Sequence, residues 1–164
     1  MRHTLARTTG GELDFEVVPL VGVGPVLLGM TRDQARAAMA TPAAPFAKGP
    51  DPAWETDAFH GHAFQVFYSG ERPVVDFIEL SGGADVRALL GGRAVFDTPA
   101  EELIATVSAR SPFDAGDPEL GYSYVFPELD LAFWRPVIPE APGDPEGRYF
   151  STVGIGSPGY FRRA

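Results

Sequence analysis

The chain has 164 residues, 45% of them hydrophobic, which suits one domain with an ordinary core and excludes disorder along its whole length. Its 13 basic and 22 acidic residues leave a net charge of −9, which repels phosphate backbones and anionic lipid. Nucleic acid and membrane are therefore not expected partners, whereas a basic protein is. The absence of cysteine excludes disulfides, thiolate metal centres and a cysteine nucleophile.

The N-terminal stretch MRHTLARTTGG is basic, but Glu12, Asp14 and Glu16 intervene before the apolar run VVPLVGVGPVLLGM. Pro19, Pro25 and the glycines interrupt that run, which is too short to cross a bilayer. It reads as a strand-and-turn entry rather than an export signal, and a cytoplasmic location is expected. In the following LLGMTRDQARAAMATP, Gly29 turns the chain and Thr31 and Gln34 stand at capping-box spacing. Ala35, Ala38 and Met39 fall on one helical face, Arg36 points to solvent, and Thr41-Pro42 ends the helix. The proline-rich segment 41–54 reads as a loop. Phe64, Val66 and Tyr68 then alternate with Gln65 and Phe67, a turn at SGER follows, and Val74 to Leu80 completes a hairpin.

The same order recurs. Thr98 is expected as an N-cap, with Pro99 at the first helical position and Glu101 closing a second capping box. Leu103, Ile104 and Val107 form the apolar stripe of that helix. Tyr122, Tyr124 and Phe126, then Leu129, Leu131 and Phe133, alternate around a PE turn as a second hairpin, and residues 147–156 offer a further strand. The expected fold class is α+β, with two helices on one face of a mostly antiparallel sheet. Residues 1–164 read as one domain, either built from two related halves at 17–82 and 90–156 or carrying two helices whose patterns coincide.

The phrase GMTRDQARAAMATP, through Gly29, Met30, Thr31, Gln34, Arg36, Thr41 and Pro42, resembles the first helix of the small outer-membrane assembly lipoproteins. It is also similar to the helix of the secreted β-lactamase inhibitor proteins. That resemblance implies tandem helix-plus-sheet repeats and, from the inhibitors, a concave aromatic sheet that grips an enzyme. The lipid-bearing cysteine of the first group and the disulfide cysteines of the second have no counterpart here. FPELDLAFWRP and GRYFSTVGIGSPGYF are similar to small acidic bacterial proteins of the immunity type, which neutralise a toxin.

Two constellations invite a chemical reading. His60 and His62 are two apart in FHGHAF, so in an extended segment both imidazoles face one side, with Asp57 as a third metal ligand. In VVDFIEL, strict alternation puts Asp76 on the face of Val74, Ile78 and Leu80, where burial makes a carboxylate basic, while Glu79 takes the opposite face. Serine lacks the Gly-x-Ser-x-Gly setting of a nucleophile, and GVGPVLLG lacks dinucleotide-binding spacing. No cofactor is expected.

Aromatic residues provide the alternative. Tyr122, Tyr124, Trp134 and Arg135 in the second hairpin, with Tyr68 and Tyr149, are the residue types that interfaces favour. The expectation is a non-enzymatic protein-binding module, immunity-type or inhibitor-like, that occludes a partner protein. The rival readings are an enzyme or metal-dependent site around His60, His62 and Asp76, and a domain that holds a small apolar ligand between helix and sheet.

Overall fold

The computed structural model describes residues 7–9, 12–50, 52–83 and 85–163. Short strands open the chain: β1 (Arg7–Thr9), β2 (Glu12–Val18), β3 (Gly22–Val23) and β4 (Val26–Leu27), followed by α1 (Arg32–Met39). Strands β5 (Ala44–Phe46), β6 (Thr56–Phe59), β7 (Phe64–Ser69), β8 (Val74–Ser81), β9 (Val86–Leu90) and β10 (Arg93–Ala94) lead to α2 (Ala100–Ser108). The chain closes with β11 (Ser123–Phe126), β12 (Leu131–Trp134), β13 (Thr152–Gly156) and a 3₁₀ turn at Tyr160–Arg162. The fold is α+β, and its strands divide between two sheets. One runs β10-β9-β2-β3-β4 with β1 against β2, and the other runs β11-β12-β13-β8-β7-β6-β5. All neighbours are antiparallel except β2 and β9, where Phe15 lies opposite Ala88.

Alternation explains the core. Phe64, Val66 and Tyr68 of β7 face inward with Ile78 and Leu80 of β8, Val153 and Ile155 of β13, and Leu131 and Phe133 of β12. Phe15 and Val17 from the smaller sheet join them, as do Ala35 and Met39 of α1 and Leu103 and Val107 of α2, in one continuous apolar cluster. The edges of the larger sheet are blunted: Pro45 sits in β5, and the Val125 carbonyl of β11 accepts from the Asp114 N–H at 2.8 Å.

Helix α1 begins as its sequence dictates. The Thr31 hydroxyl accepts from the Gln34 N–H, the Gln34 side chain accepts from the Thr31 N–H, and Ala40 ends the helix in the left-handed region. Helix α2 departs from expectation. Its N-cap is Pro99 without a side-chain cap, because the Thr98 hydroxyl donates instead to the Ala94 carbonyl at 2.8 Å. Residues 41–54 contain β5 as well as loop, and the second hairpin turns through four residues, 127–130, rather than two.

The C-terminal turn lies on the outer face of the larger sheet. A Cβ at Gly154 would stand 2.3 Å from Phe77, and one at Gly156 would stand 2.4 Å from Tyr160, so glycine alone admits these rings. Tyr160 stacks on Phe77 at 4.7 Å. The Asp130 carboxylate accepts from the Gly159 N–H at 2.8 Å and the Phe161 N–H at 3.2 Å, which ties the turn to the β11–β12 connection.

Candidate functional site

Strands β11 and β12 present a hairpin end where polar backbone is satisfied and apolar side chains are not covered. The Arg135 N–H donates to the Tyr122 carbonyl at 2.9 Å, and the Trp134 carbonyl accepts from the Ser151 N–H at 2.8 Å. Tyr122, Trp134 and Tyr149 are 44%, 41% and 40% exposed, and Val137 and Ile138 beside them are exposed as well. These are five of the eight large exposed hydrophobic side chains among the described residues; the other three, Val18, Leu20 and Val21, lie at the end of β2 and in the turn to β3. Exposed Glu119, Glu140 and Glu146 flank the hairpin end in the chain.

The other expected contacts lie further in. Tyr124 is half-buried, edge-on to Phe113 at 5.2 Å and Phe150 at 6.0 Å. Arg135 is buried, which corrects its reading as a surface contact. Its Nε donates to the Gly121 carbonyl at 2.8 Å, and its Nη1 donates to the Gly147 carbonyl at 3.0 Å and to Glu101 at 3.1 Å. It fastens the segments on either side of the hairpin and is not part of the exposed surface.

Tyr68 is corrected in the same way. It is buried, and its hydroxyl donates to Asp57 at 2.7 Å. Arg36 of α1 donates to the same carboxylate through Nε and Nη2, each at 2.8 Å, so it anchors the helix to Asp57 while its side chain stays 39% exposed. Burial pushes the Asp57 carboxyl up, but the Arg36 and Tyr68 hydrogen bonds outweigh it and hold the group below the usual carboxylate range. Burial, reinforced by Asp57, raises the Tyr68 phenol. The Arg32 guanidinium lies 4.8 Å from the Tyr68 ring centre and 5.6 Å from that of Trp54.

The histidines do not take the expected extended path. His60, Gly61 and His62 have φ of 52°, 63° and 71°, forming the left-handed turn between β6 and β7. His60 packs near Phe15 with ring centres 5.9 Å apart, and His62 packs near Phe46 at 4.9 Å. With Asp57 held by Arg36 and Tyr68, the three do not come together. No group of three or more such ligands fit for a metal occurs among the described residues.

Asp76 is displaced from its expected face by a β-bulge. Phe67 pairs with Phe77 but Tyr68 pairs with Val75, so Asp76 is an extra residue in β8 and Val75 takes the core position. The bulge sits where the entry to α1 is stitched to β8: the Gly29 N–H donates to the Val75 carbonyl, and the Val75 N–H donates to the Met30 carbonyl, both at 2.8 Å. Asp76 accepts from Arg163 at 2.6 and 2.9 Å and from the Ser157 hydroxyl. Burial raises this carboxyl, but those hydrogen bonds more than offset it and leave the group below the ordinary range, which suits an anchor and not a base. Glu79 behaves oppositely: burial raises it, and Lys48 offsets this only in part.

No local pattern in the sequence announces the Arg36–Asp57–Tyr68 cluster or the Asp130 clamp, since both join residues far apart in the chain. No helix among the described residues is long and apolar enough to cross a membrane. Searches of family models, curated proteins and solved structures find no match to this chain.

Proposed function

We propose that the chain is a non-enzymatic protein-binding module that occludes a basic partner protein, in the manner of an immunity-type or inhibitor protein. The observation that carries this reading is the exposure of five large apolar side chains, Tyr122, Trp134, Val137, Ile138 and Tyr149, in and beside the β11–β12 hairpin. Tyrosine and tryptophan bury a large area at small entropic cost, which is why they dominate binding hot spots. Charge supports a basic partner. Residues 112–149 contain eight carboxylates, of which Asp130 is buried, and two basic residues, buried Arg135 and exposed Arg148. An acidic rim of this kind steers a cationic protein and speeds its association.

The experiment is affinity capture from native lysate with the wild type, Trp134→Ala and Leu20→Ala. A basic protein retained by the wild type and Leu20→Ala but lost with Trp134→Ala supports the reading. Equal retention by all three, or no retained protein, counts against it.

A further inference from the structure

A cavity of about 630 Å³ opens where the N-terminus of α2 meets the proline-rich segment after β12. Tyr124, Ile138, Pro139 and Pro142 give it apolar walls, and Arg135 lines it. Arg135 is 2% exposed, an extreme position for a charge with a single carboxylate partner. Its Nε and Nη1 are engaged, whereas Nη2 has no hydrogen-bond partner among the described residues. That partner, Glu101, is held only through Nη1, and its side chain is 66% exposed and free to swing outward.

We propose that this cavity binds a single carboxylate carried on an apolar body. The ligand carboxylate replaces that of Glu101 at Arg135, where it forms a two-pronged ion pair through Nη1 and Nη2. The apolar body lies against Tyr124, Ile138 and the prolines. Arg148, Glu140 and Asp144 line the same cavity, so once Glu101 has swung outward its lining holds two cations and two carboxylates. The chemistry is shared by a free small acid and by the C-terminal carboxylate of an apolar peptide, and it does not depend on the protein-binding reading.

The test is an amide NMR titration of the full chain, wild type and Glu101→Gln. The probes are 4-phenylbutyrate, 4-phenylbutyramide, and the tripeptide Ala-Ile-Leu with free or amidated C-terminus. Phenylbutyrate, the free tripeptide or both are expected to shift Tyr124, Arg135 and Ile138, with the matching amide binding at least about ten-fold more weakly. Glu101→Gln removes the competing carboxylate and is expected to bind the acid several-fold more tightly. Stronger binding of phenylbutyrate assigns the site to small acids, and stronger binding of the free tripeptide assigns it to peptide ends. Acid and amide binding alike, shifts elsewhere in the molecule, weaker binding by Glu101→Gln, or no shift with any probe in either protein overturns the proposal.

Discussion

Among single side chains, Asp57 carries the heaviest local demand. Its carboxylate is fully buried and accepts from both Arg36 and Tyr68, so removing it leaves two donors to find new partners. Asp57→Ala is expected to cost about 2–3 kcal/mol in urea denaturation at neutral pH. The folded carboxyl titrates below its unfolded value of roughly 4. Its contribution is therefore complete above that unfolded value and fades as pH falls through the lower folded one, so the gap between variant and wild type narrows in acid. Glu79 has the opposite sign. Its folded carboxyl is raised, so ionisation near neutrality opposes folding. Glu79→Gln is expected to raise the Tm at pH 7 and to lose that advantage as pH falls and the wild-type carboxyl protonates, which a pH series of thermal melts checks. The burial of Tyr68 and Arg135 and the pairing of Arg36 with Asp57 were not legible in the sequence. Their partners Asp57, Gly121 and Gly147 belong to other segments, and a charged or phenolic side chain read alone belongs at the surface.

Elements were more legible than side chains wherever their signals were local. Thr31 and Gln34 form their capping box within one turn, and Phe64 to Leu80 alternate as a hairpin, so both followed from the chain itself. Thr98 has the same local pattern, but its hydroxyl bonds back to Ala94, which the pattern does not encode. Thr31→Ala is accordingly expected to lose about 1 kcal/mol in thermal denaturation through the lost cap. The bulge at Asp76 was hidden because strict alternation is the rule it breaks, and pairing of β2 with β9 was hidden because it joins distant segments. The docking of the C-terminal turn rests on bare backbone at Gly154. Gly154→Ala drives a methyl into Phe77 and is expected to destabilise the protein by about 1–3 kcal/mol, with faster hydrogen exchange at the Gly159 and Phe161 amides.

At the scale of the molecule, two sheets and two helices place most of their apolar residues in one core, and among the described residues the large apolar side chains left exposed fall at two places. The end of β2 and the turn to β3 carry three of these side chains, and the β11–β12 hairpin and the residues beside it carry five, among carboxylates. Large apolar side chains kept uncovered in this way serve recognition when they do not support the fold. Trp134→Ala is therefore expected to change stability by less than about 1 kcal/mol and to weaken partner binding by about 2 kcal/mol or more. The most direct measurement is the amide NMR spectrum of isotopically labelled protein, recorded with and without the most basic protein fraction of its native lysate. Signal loss confined to residues around Tyr122, Trp134 and Tyr149, and reversed by added salt, is the predicted result. An unchanged spectrum, or losses centred on Val18, Leu20 and Val21, would contradict the account.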